Sequence, residues 1–403
     1  EPNKAPLMYR PLLVASLLSA CSSSAEDSAG ACTPTVELRA LPTGGGLCIA
    51  KNLTSTRPLD AATSTMIDLG ARAVRSDLLW HRVQPDPDTW DWSIYDEVLE
   101  ATEARGIELI PMLAYGTAWA SSATEDDPYY PPDDPADFAR FAGAAAERYR
   151  GRIQRYEIWN EPNAGYRFWK PDVAGDPEAY GTLFLAAEEA IHAVDPEAQV
   201  LIGGTFFPEQ VIPGTLRFVA DLIAAHPTIL ERADGIAVHP YTLYPPRTAP
   251  EIDEGDETPI WEMIAQLRAL TGELPIAVTE MGWPSYDPID EDTQADWLTR
   301  GILLSQAEGV TDVCWYTIYD DEDPTNTEEA FGLTRSDGSW KPSGEAFAEP
   351  ATRAATASGV GRVMDLPDGA YGVSYGDAGT ALWGEGEVCG ETLTETPLWI
   401  DAP

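Results

Sequence analysis

The feature that most constrains the fold is a regular alternation of short apolar runs and amphipathic helical stretches, which begins near residue 46. Between the runs, apolar residues recur at helical spacing, as in residues 137–149 and 261–270. Strands that alternate with helices predict a parallel sheet, and eight such strands close into a barrel. We therefore predict an α/β fold, a (β/α)8 TIM barrel over residues 46–350. The eight predicted strands are Leu47–Ala50, Ala73–Ser76, Glu108–Leu113, Arg155–Trp159, Val200–Gly204, Gly235–His239, Ile276–Glu280 and Asp312–Ile318.

An open, doubly wound sheet is the alternative arrangement of the same elements. No Gly-rich phosphate-binding turn follows the first predicted strand, which disfavours it. After about residue 350 the pattern changes to strand-like pieces punctuated by glycine, such as residues 361–366 and 370–375. This segment is too short to build a large core of its own. We expect residues 351–403 to form a small C-terminal β extension packed on the barrel.

The N-terminal segment has the pattern of an export signal. A basic start at Met8-Tyr9-Arg10 precedes a short apolar run and small residues before Cys21. The run is too short to remain as a membrane-spanning helix. We assign residues 1–20 to a signal peptide, with Met8 as an alternative start, and residues 21–45 to a tether and lead-in. Leu18-Ser19-Ala20-Cys21 resembles a bacterial lipobox, which implies lipidation of Cys21 and a lipoprotein of the cell envelope or surface; plain secretion is the alternative.

The charge balance restricts the partners. The chain has 25 Lys and Arg residues against 67 Asp and Glu residues, a formal charge of −42 over 403 residues. Such a field repels nucleic acids and other polyanions, so we expect a neutral substrate and no nucleic-acid partner. Most of the acidic residues are expected to form a solvated surface. We expect a monomer, held to a membrane through a lipid anchor only.

Cysteine and histidine usage predicts disulfides rather than a metal site. Besides Cys21, the chain contains Cys32, Cys48, Cys314 and Cys389, an even set that allows three disulfide connectivities in an exported protein. Cys48 and Cys314 lie in strand-like runs, where buried free thiols are common, so Cys32 and Cys389 are the preferred pair. The four histidines are scattered along the chain, and we expect neither a metal nor a cofactor.

Two glutamates interrupt the apolar pattern at strand ends. Glu161 closes the fourth predicted strand in Trp159-Asn160-Glu161-Pro162, and Glu280 closes the seventh in Thr279-Glu280-Met281-Gly282-Trp283. A buried carboxylate is costly without a partner. Two carboxylates at the mouth of one barrel suit the cleavage of a glycosidic bond, which needs a proton donor and a nucleophile.

These two motifs, in this order and on these strands, resemble the clan A glycoside hydrolases, which are retaining (β/α)8 enzymes. Within the clan, the sequence is similar to the family 39 β-xylosidases and iduronidases and to bacterial exopolysaccharide endoglycosidases. The segments that carry this likeness are Arg75-Ser76-Asp77, Trp90-Asp91-Trp92, and Phe331-Gly332-Leu333 followed by Asp337-Gly338 and Lys341-Pro342.

The resemblance implies that Glu161 is the general acid/base and Glu280 the nucleophile. Arg75 is expected to keep Glu280 ionised through a charge-assisted contact, and an ion pair with Asp77 is its alternative role. Asn160 is expected to hydrogen-bond the sugar hydroxyl next to the reacting carbon.

Further substrate contacts follow from the same resemblance. Tyr241 matches the position that contacts the nucleophile, and His239 shares its strand end, with a hydrogen-bonded core histidine as the alternative. Trp315 is expected to form the apolar platform under the reacting sugar. Trp119, Trp169 and Trp283 are expected to line sugar subsites, although each is also compatible with packing.

The sequence therefore predicts an O-glycosyl hydrolase that cleaves a neutral β-linked oligosaccharide or polysaccharide by double displacement. A transglycosylase that uses the same residues is one alternative. A surface carbohydrate-binding barrel without turnover is another. The identity of the sugar and the choice between exo and endo action stay open, because both depend on loop shape.

Overall fold

The structure is a computed structural model that describes residues 35–401 except 42–45, 57, 124–126, 172–173, 209–213, 243–245 and 253–257. Eight parallel strands, β2 to β9, form a closed barrel in sequence order, and β2 pairs with both β3 and β9. The predicted (β/α)8 fold is thus confirmed, and the fourth and seventh barrel strands are β5 and β8. The strands are β1 (Thr35–Val36), β2 (Leu47–Ala50), β3 (Ala73–Leu79), β4 (Glu108–Ala114), β5 (Arg155–Asn160), β6 (Gln199–Phe206), β7 (Gly235–His239), β8 (Ile276–Met281), β9 (Val313–Tyr316), β10 (Gly361–Met364), β11 (Ala370–Ser374), β12 (Thr380–Gly384), β13 (Glu387–Val388), β14 (Glu391–Thr392) and β15 (Leu398–Ile400).

Helices connect the barrel strands. The helices are α1 (Leu59–Asp68), α2 (Trp80–Val83), α3 (Ser93–Glu103), α4 (Pro135–Tyr149), α5 (Pro177–Val194), α6 (Thr215–Ala225), α7 (Ile229–Arg232), α8 (Ile260–Thr271), α9 (Glu291–Ala307) and α10 (Pro342–Ala354). Residues 137–149 and 261–270, which the sequence predicts as helical, fall within α4 and α8. Within the described residues, none of the helices has both the length and the apolar content that crossing a membrane requires.

Aspartates cap the N-termini of three of the longest barrel helices. The side chain of Asp134 accepts a hydrogen bond from the backbone N–H of Ala136 at the start of α4. Asp176 and Asp290 cap α5 and α9 in the same way. Each cap satisfies a free N–H group and places a negative charge at the positive end of the helix dipole. Part of the acidic excess therefore has a local structural role.

Four strands that follow the barrel pair with β1, which precedes it, in a five-stranded antiparallel sheet of order β1-β10-β11-β12-β15. The expected β extension is present, and it also includes this strand of the N-terminal lead-in. The inner face of the sheet packs on α9, where Leu303 and Leu304 share a buried cluster with Val373 and Trp383. Beside this cluster, the indole N–H of Trp383 donates to Glu251 Oε1 at 2.6 Å. The sheet is joined to the barrel by apolar burial and a buried polar contact.

The expectation of free thiols at Cys48 and Cys314 is wrong, because the two residues form a disulfide. Closure of the barrel makes its first and last strands neighbours, and the two cysteines stand in register with their Cα atoms 4.0 Å apart. The bond therefore joins the ends of the barrel sheet. Cys389 is also disulfide-bonded.

Several predictions fall on residues that the structure does not describe. The signal peptide, Cys21 with its lipid anchor, and Cys32 all lie before residue 35. The pairing of Cys32 with Cys389 stays a prediction for the same reason.

Candidate active site

A cleft of about 390 Å³ opens at the carboxyl ends of the barrel strands. Both motif glutamates line it, together with Arg75, Asn160 and Tyr241. The cleft wall also contains aromatic side chains from several strand ends and loops. These are Tyr115, Tyr166, Phe168, Phe206, Tyr316 and Phe331. The cleft thus combines carboxylates with rings that can stack on the C–H faces of a sugar.

Glu161 follows β5, and Glu280 is the penultimate residue of β8. One carboxylate oxygen of each, together with a ring nitrogen of His239, forms a group of atoms that all lie within 4.8 Å of one another. The backbone around Glu161 is unusual, since Trp159 and Glu161 have φ values of 71° and 43°. Side chains rarely tolerate this left-handed region, and such strain concentrates at functional sites.

Glu161 is buried and contacts a histidine. Its Oε1 atom lies 2.8 Å from His239 Nδ1, and the other ring nitrogen lies 3.2 Å from Thr279 Oγ1. The backbone of β6 allows this contact, because a Cβ atom at Gly204 would lie 2.2 Å from His239 Nε2. Burial raises the pKa of Glu161, the contact with His239 lowers it, and the charge of Glu280 raises it, so that the net pKa is raised.

Glu280 lies in a different environment. The hydroxyl of Tyr241 donates to its Oε1 atom at 2.7 Å, and Arg75 Nη1 donates to its Oε2 atom at 3.2 Å. A cation and a hydroxyl thus contact this carboxylate, whereas Glu161 contacts a histidine. The two glutamates therefore differ in the way that a proton donor and a nucleophile must differ.

Arg75 is the centre of a buried network that includes a third glutamate, Glu157. The guanidinium donates to both oxygens of Glu157, at 2.9 and 2.8 Å, and to Asn160 Oδ1 at 2.7 Å. Glu157 is fully buried and also accepts from the backbone N–H of Gly204. The charge of Arg75 and its hydrogen bonds lower the pKa of Glu157 despite this burial. Arg75 thus pairs with Glu157 and Glu280, and no ion pair with Asp77 is found in the described part of the chain.

The sequence reasoning missed Glu157, although a signal was present. A glutamate inside the apolar strand run Tyr156–Trp159 is as exceptional as one at its end. A buried arginine predicted on the second strand needs a partner of this kind.

The structure contradicts five predicted substrate contacts. His239 is fully buried behind Glu161 and is absent from the described lining of the cleft. Trp283 is 1% exposed and donates to Thr248 O, and Trp119 donates to Gln84 O against Trp80. Trp169 packs on the ring of Trp159 and borders a separate cleft. These side chains serve packing and positioning instead.

Trp315, the predicted sugar platform, is the fifth. It is fully buried, and its indole N–H donates to Phe331 O at 2.9 Å. Successive residues of a strand face opposite sides, so the next residue, Tyr316, lines the cleft in its place. The prediction of the platform was thus wrong by one residue on the eighth barrel strand.

Glu161, His239 and Glu280 are the kinds of residue that bind divalent cations. Protein groups, however, already contact one oxygen of Glu161, both ring nitrogens of His239 and both oxygens of Glu280. His239 contacts Glu161, whereas Glu280 accepts from Tyr241 and from the cationic Arg75. A cation at this point would have to displace those contacts and approach a guanidinium. The arrangement fits acid–base and nucleophilic chemistry better than metal ligation.

Comparisons with known proteins agree with this geometry. The sequence model of the cellulase family (glycosyl hydrolase family 5) matches residues 32–321. No significant match is found among curated protein sequences.

Three solved structures illustrate the similarity of fold. A family 39 glycoside hydrolase from the gut symbiont Bacteroides cellulosilyticus WH2 has a TM-score of 0.68 and 23% identity, over 85% of this chain and 71% of that one. A monomeric β-xylosidase from Caulobacter crescentus CB15 has a TM-score of 0.62 and 19% identity, over 87% and 76%. GH5_18 from Streptomyces cattleya, solved in complex with GlcNAc, has a TM-score of 0.60 and 19% identity, over 77% and 81%.

Proposed function

This chain belongs to the cellulase family (glycosyl hydrolase family 5), and on that premise we propose that it is a retaining enzyme for β-linked sugars. The sequence motifs predicted the clan A glycoside hydrolases, to which this family belongs, with a likeness to family 39. The observation that carries the proposal is the pair Glu161 and Glu280, whose nearest carboxylate oxygens lie within 4.8 Å across the barrel mouth. Retaining glycosidases hold their carboxyl groups about 5–5.5 Å apart, whereas inverting enzymes need about 6.5–9.5 Å to admit a water molecule. The short gap supports double displacement.

In the first step, Glu280 attacks the anomeric carbon of the sugar and forms a glycosyl ester. The bond between that carbon and the glycosidic oxygen breaks, and the departing oxygen takes the proton of Glu161. In the second step, Glu161 removes a proton from water, the water oxygen attacks the anomeric carbon, and Glu280 leaves as a carboxylate. Each carboxyl group thus returns to its starting state.

The contacts of Glu161 suit both of its roles. Burial raises the pKa of Glu161, and while Glu280 is charged its field adds to this shift and favours the protonated acid. Ester formation removes that charge, whereas the contact with His239, which lowers the pKa, remains. Glu161 then releases its proton more readily, as a general base requires.

The substrate is proposed to be neutral and β-linked. The formal charge of −42 disfavours polyanionic sugars, and acidic residues of the cleft, such as Asp77, Asp321 and Glu328, act in the same sense. The name of the Caulobacter relative, a β-xylosidase, supports the β linkage. The protein is further proposed to be an exported lipoprotein anchored through Cys21.

Proton NMR of the first-formed product tests the mechanism. A panel of aryl β-glycosides and neutral polysaccharides identifies a hydrolysed substrate, and the anomeric signal is then followed before mutarotation. We expect the β anomer first. Initial release of the α anomer from a β-glycoside would exclude a covalent intermediate on Glu280, and products longer than the substrate would indicate transglycosylation.

Mass spectrometry of the mature N-terminus tests the anchor. We expect a diacylated or triacylated Cys21 in the membrane fraction and release of the protein by Cys21→Ser. An unmodified mature N-terminus at another residue would contradict the anchor without affecting the proposed reaction.

A further inference from the structure

Two charged side chains of opposite sign face the cleft with incomplete sets of partners. Lys51 directly follows β2, and Asp77 lies on β3. Asp77 Oδ2 accepts from Asn52 Nδ2 at 2.9 Å. In the part of the chain that the structure describes, Asp77 Oδ1 has no hydrogen bond and the Lys51 ammonium has neither a hydrogen bond nor an ion pair. Asp321 attracts Lys51 only at longer range.

Both side chains are half-buried, and this partial burial disfavours their charged forms. It raises the pKa of Asp77 to about 6, although the charge of Arg75 opposes the shift. It also lowers the pKa of Lys51. Neither Asp77 Oδ1 nor Lys51 Nζ is fully shielded from water, so a ligand that displaces this water from the cleft must offer each group a new partner.

Another Lys–Asp pair of this chain shows what a structural pair looks like. Lys341 is 1% exposed, and its ammonium donates to Ser285 Oγ at 2.7 Å and to both oxygens of Asp320, at 3.0 and 3.2 Å. Asp320 in turn accepts from the backbone N–H of Gly332. Lys51 and Asp77 lack such a full set of hydrogen-bond partners, and both line the cleft. This is typical of side chains whose remaining partners come from a bound ligand.

The position of the reacting sugar in the cleft follows from the catalytic residues. Its anomeric carbon must lie between Glu161 and Glu280. Asn160 uses its carbonyl oxygen to accept from Arg75, so its amide N–H groups remain to donate to the hydroxyl at C2. Asp77 is the next residue after Arg75 on the same face of β3. Lys51 follows the adjacent strand β2, and its backbone N–H donates to Arg75 O. If Asn160 contacts the hydroxyl at C2, Asp77 and Lys51 therefore lie in the direction of the next ring carbons, C3 and C4.

We propose that Asp77 and Lys51 bind the hydroxyls at C3 and C4 of the sugar that reacts, and that this pair sets the choice of sugar. The proposal rests on the proposed hydrolase function. The carboxylate accepts from one hydroxyl and the ammonium donates to its neighbour, so a vicinal diol satisfies both groups at once. Asn52 orients the carboxylate, because its own carbonyl is engaged by the N–H of Thr54.

Kinetics with deoxy substrates test this assignment. The aryl β-glycoside that the wild-type enzyme hydrolyses best is compared with its 3-deoxy and 4-deoxy analogues, in wild-type enzyme, Asp77→Ala and Lys51→Met. A hydrogen bond to a charged group corresponds to about 10- to 150-fold in kcat/KM. We expect the wild-type enzyme to discriminate against each analogue by that factor. Each variant should hydrolyse the full substrate with a kcat/KM lower than that of the wild-type enzyme by this factor. Each variant should also hydrolyse at least one deoxy analogue as well as it hydrolyses the full substrate.

Asp68→Ala is the control, because Asp68 is an exposed carboxylate on α1 outside the cleft. It removes one negative charge and should keep the full discrimination. Circular dichroism verifies that the cleft variants are folded. Unchanged discrimination in Asp77→Ala and Lys51→Met would overturn the assignment while leaving the hydrolase intact. Absence of hydrolysis of all glycosides by the wild-type enzyme would instead overturn the proposed function, and this inference with it.

Discussion

Replacing Arg75 separates what its network does for stability from what it does for catalysis. Arg75 is 5% exposed and Glu157 is fully buried, so Arg75→Met leaves a carboxylate in the barrel without its cation. Removing one partner of a buried ion pair costs about 3–5 kcal/mol in the free energy of unfolding. The same variant removes a charge-assisted hydrogen bond to Glu280, worth about 1.5–3 kcal/mol, which corresponds to about 10- to 150-fold in rate.

The double variant Arg75→Met/Glu157→Gln distinguishes the two effects. Glutamine removes the uncompensated charge and can still accept from the N–H of Gly204. We therefore expect the double variant to recover most of the lost stability but not the lost activity, because Glu280 and Asn160 still lack their donor. Urea unfolding followed by tryptophan fluorescence measures the first quantity, and initial rates on an aryl β-glycoside measure the second.

Two results would refute this reasoning. If Arg75→Met lowers the free energy of unfolding by less than about 1 kcal/mol, the pair with Glu157 behaves as a solvated surface pair. If the double variant recovers wild-type kcat, the contact between Arg75 and Glu280 has no catalytic role.

Three further predictions concern pH, metals and the disulfide. Activity should be lost as the pH rises through the raised pKa of Glu161. Because the contact with His239 lowers that pKa, His239→Gln should move the alkaline limb of the kcat/KM profile to higher pH. An alkaline limb that stays in place or moves to lower pH would contradict the role of this contact. Activity should survive EDTA, because Glu280 accepts from Tyr241 and Arg75 and two carboxyl groups suffice for the reaction. Loss of turnover that a divalent cation restores would contradict the mechanism. Cys48→Ala/Cys314→Ala should lower the free energy of unfolding by about 2–5 kcal/mol, because the disulfide joins residues 266 positions apart in the chain. The variant should keep its kcat, because the disulfide lies away from the reacting groups. Equal unfolding curves for the variant and the wild-type enzyme would contradict the predicted stabilisation.

The barrel and the motif glutamates could be predicted because their signals are local. Each strand is a short apolar run, and a carboxylate at its end stands out against the surrounding residues. Arg75, Asn160 and Tyr241 were expected from the resemblance to the clan A glycoside hydrolases, and the structure places all three in the cleft.

The aromatic wall could not be predicted in this way. Whether a tryptophan packs or faces the cleft depends on loop paths and on which face of a strand it occupies, as Trp315 and Tyr316 illustrate. The disulfide between Cys48 and Cys314 depends on barrel closure, a contact between the two ends of the sheet that no local pattern encodes.

Azide rescue of the two glutamate variants tests the central claim most directly. On an activated aryl β-glycoside, Glu161→Ala should still form the glycosyl ester, because a good leaving group departs without a proton, and azide should convert that ester to the β-glycosyl azide. Glu280→Ala cannot form the ester, and azide that attacks the opposite face of the sugar should give the α-glycosyl azide. NMR of the two products decides the assignment. The same products with the variants exchanged would reverse the roles of Glu161 and Glu280, and wild-type turnover in both variants would place the active site elsewhere.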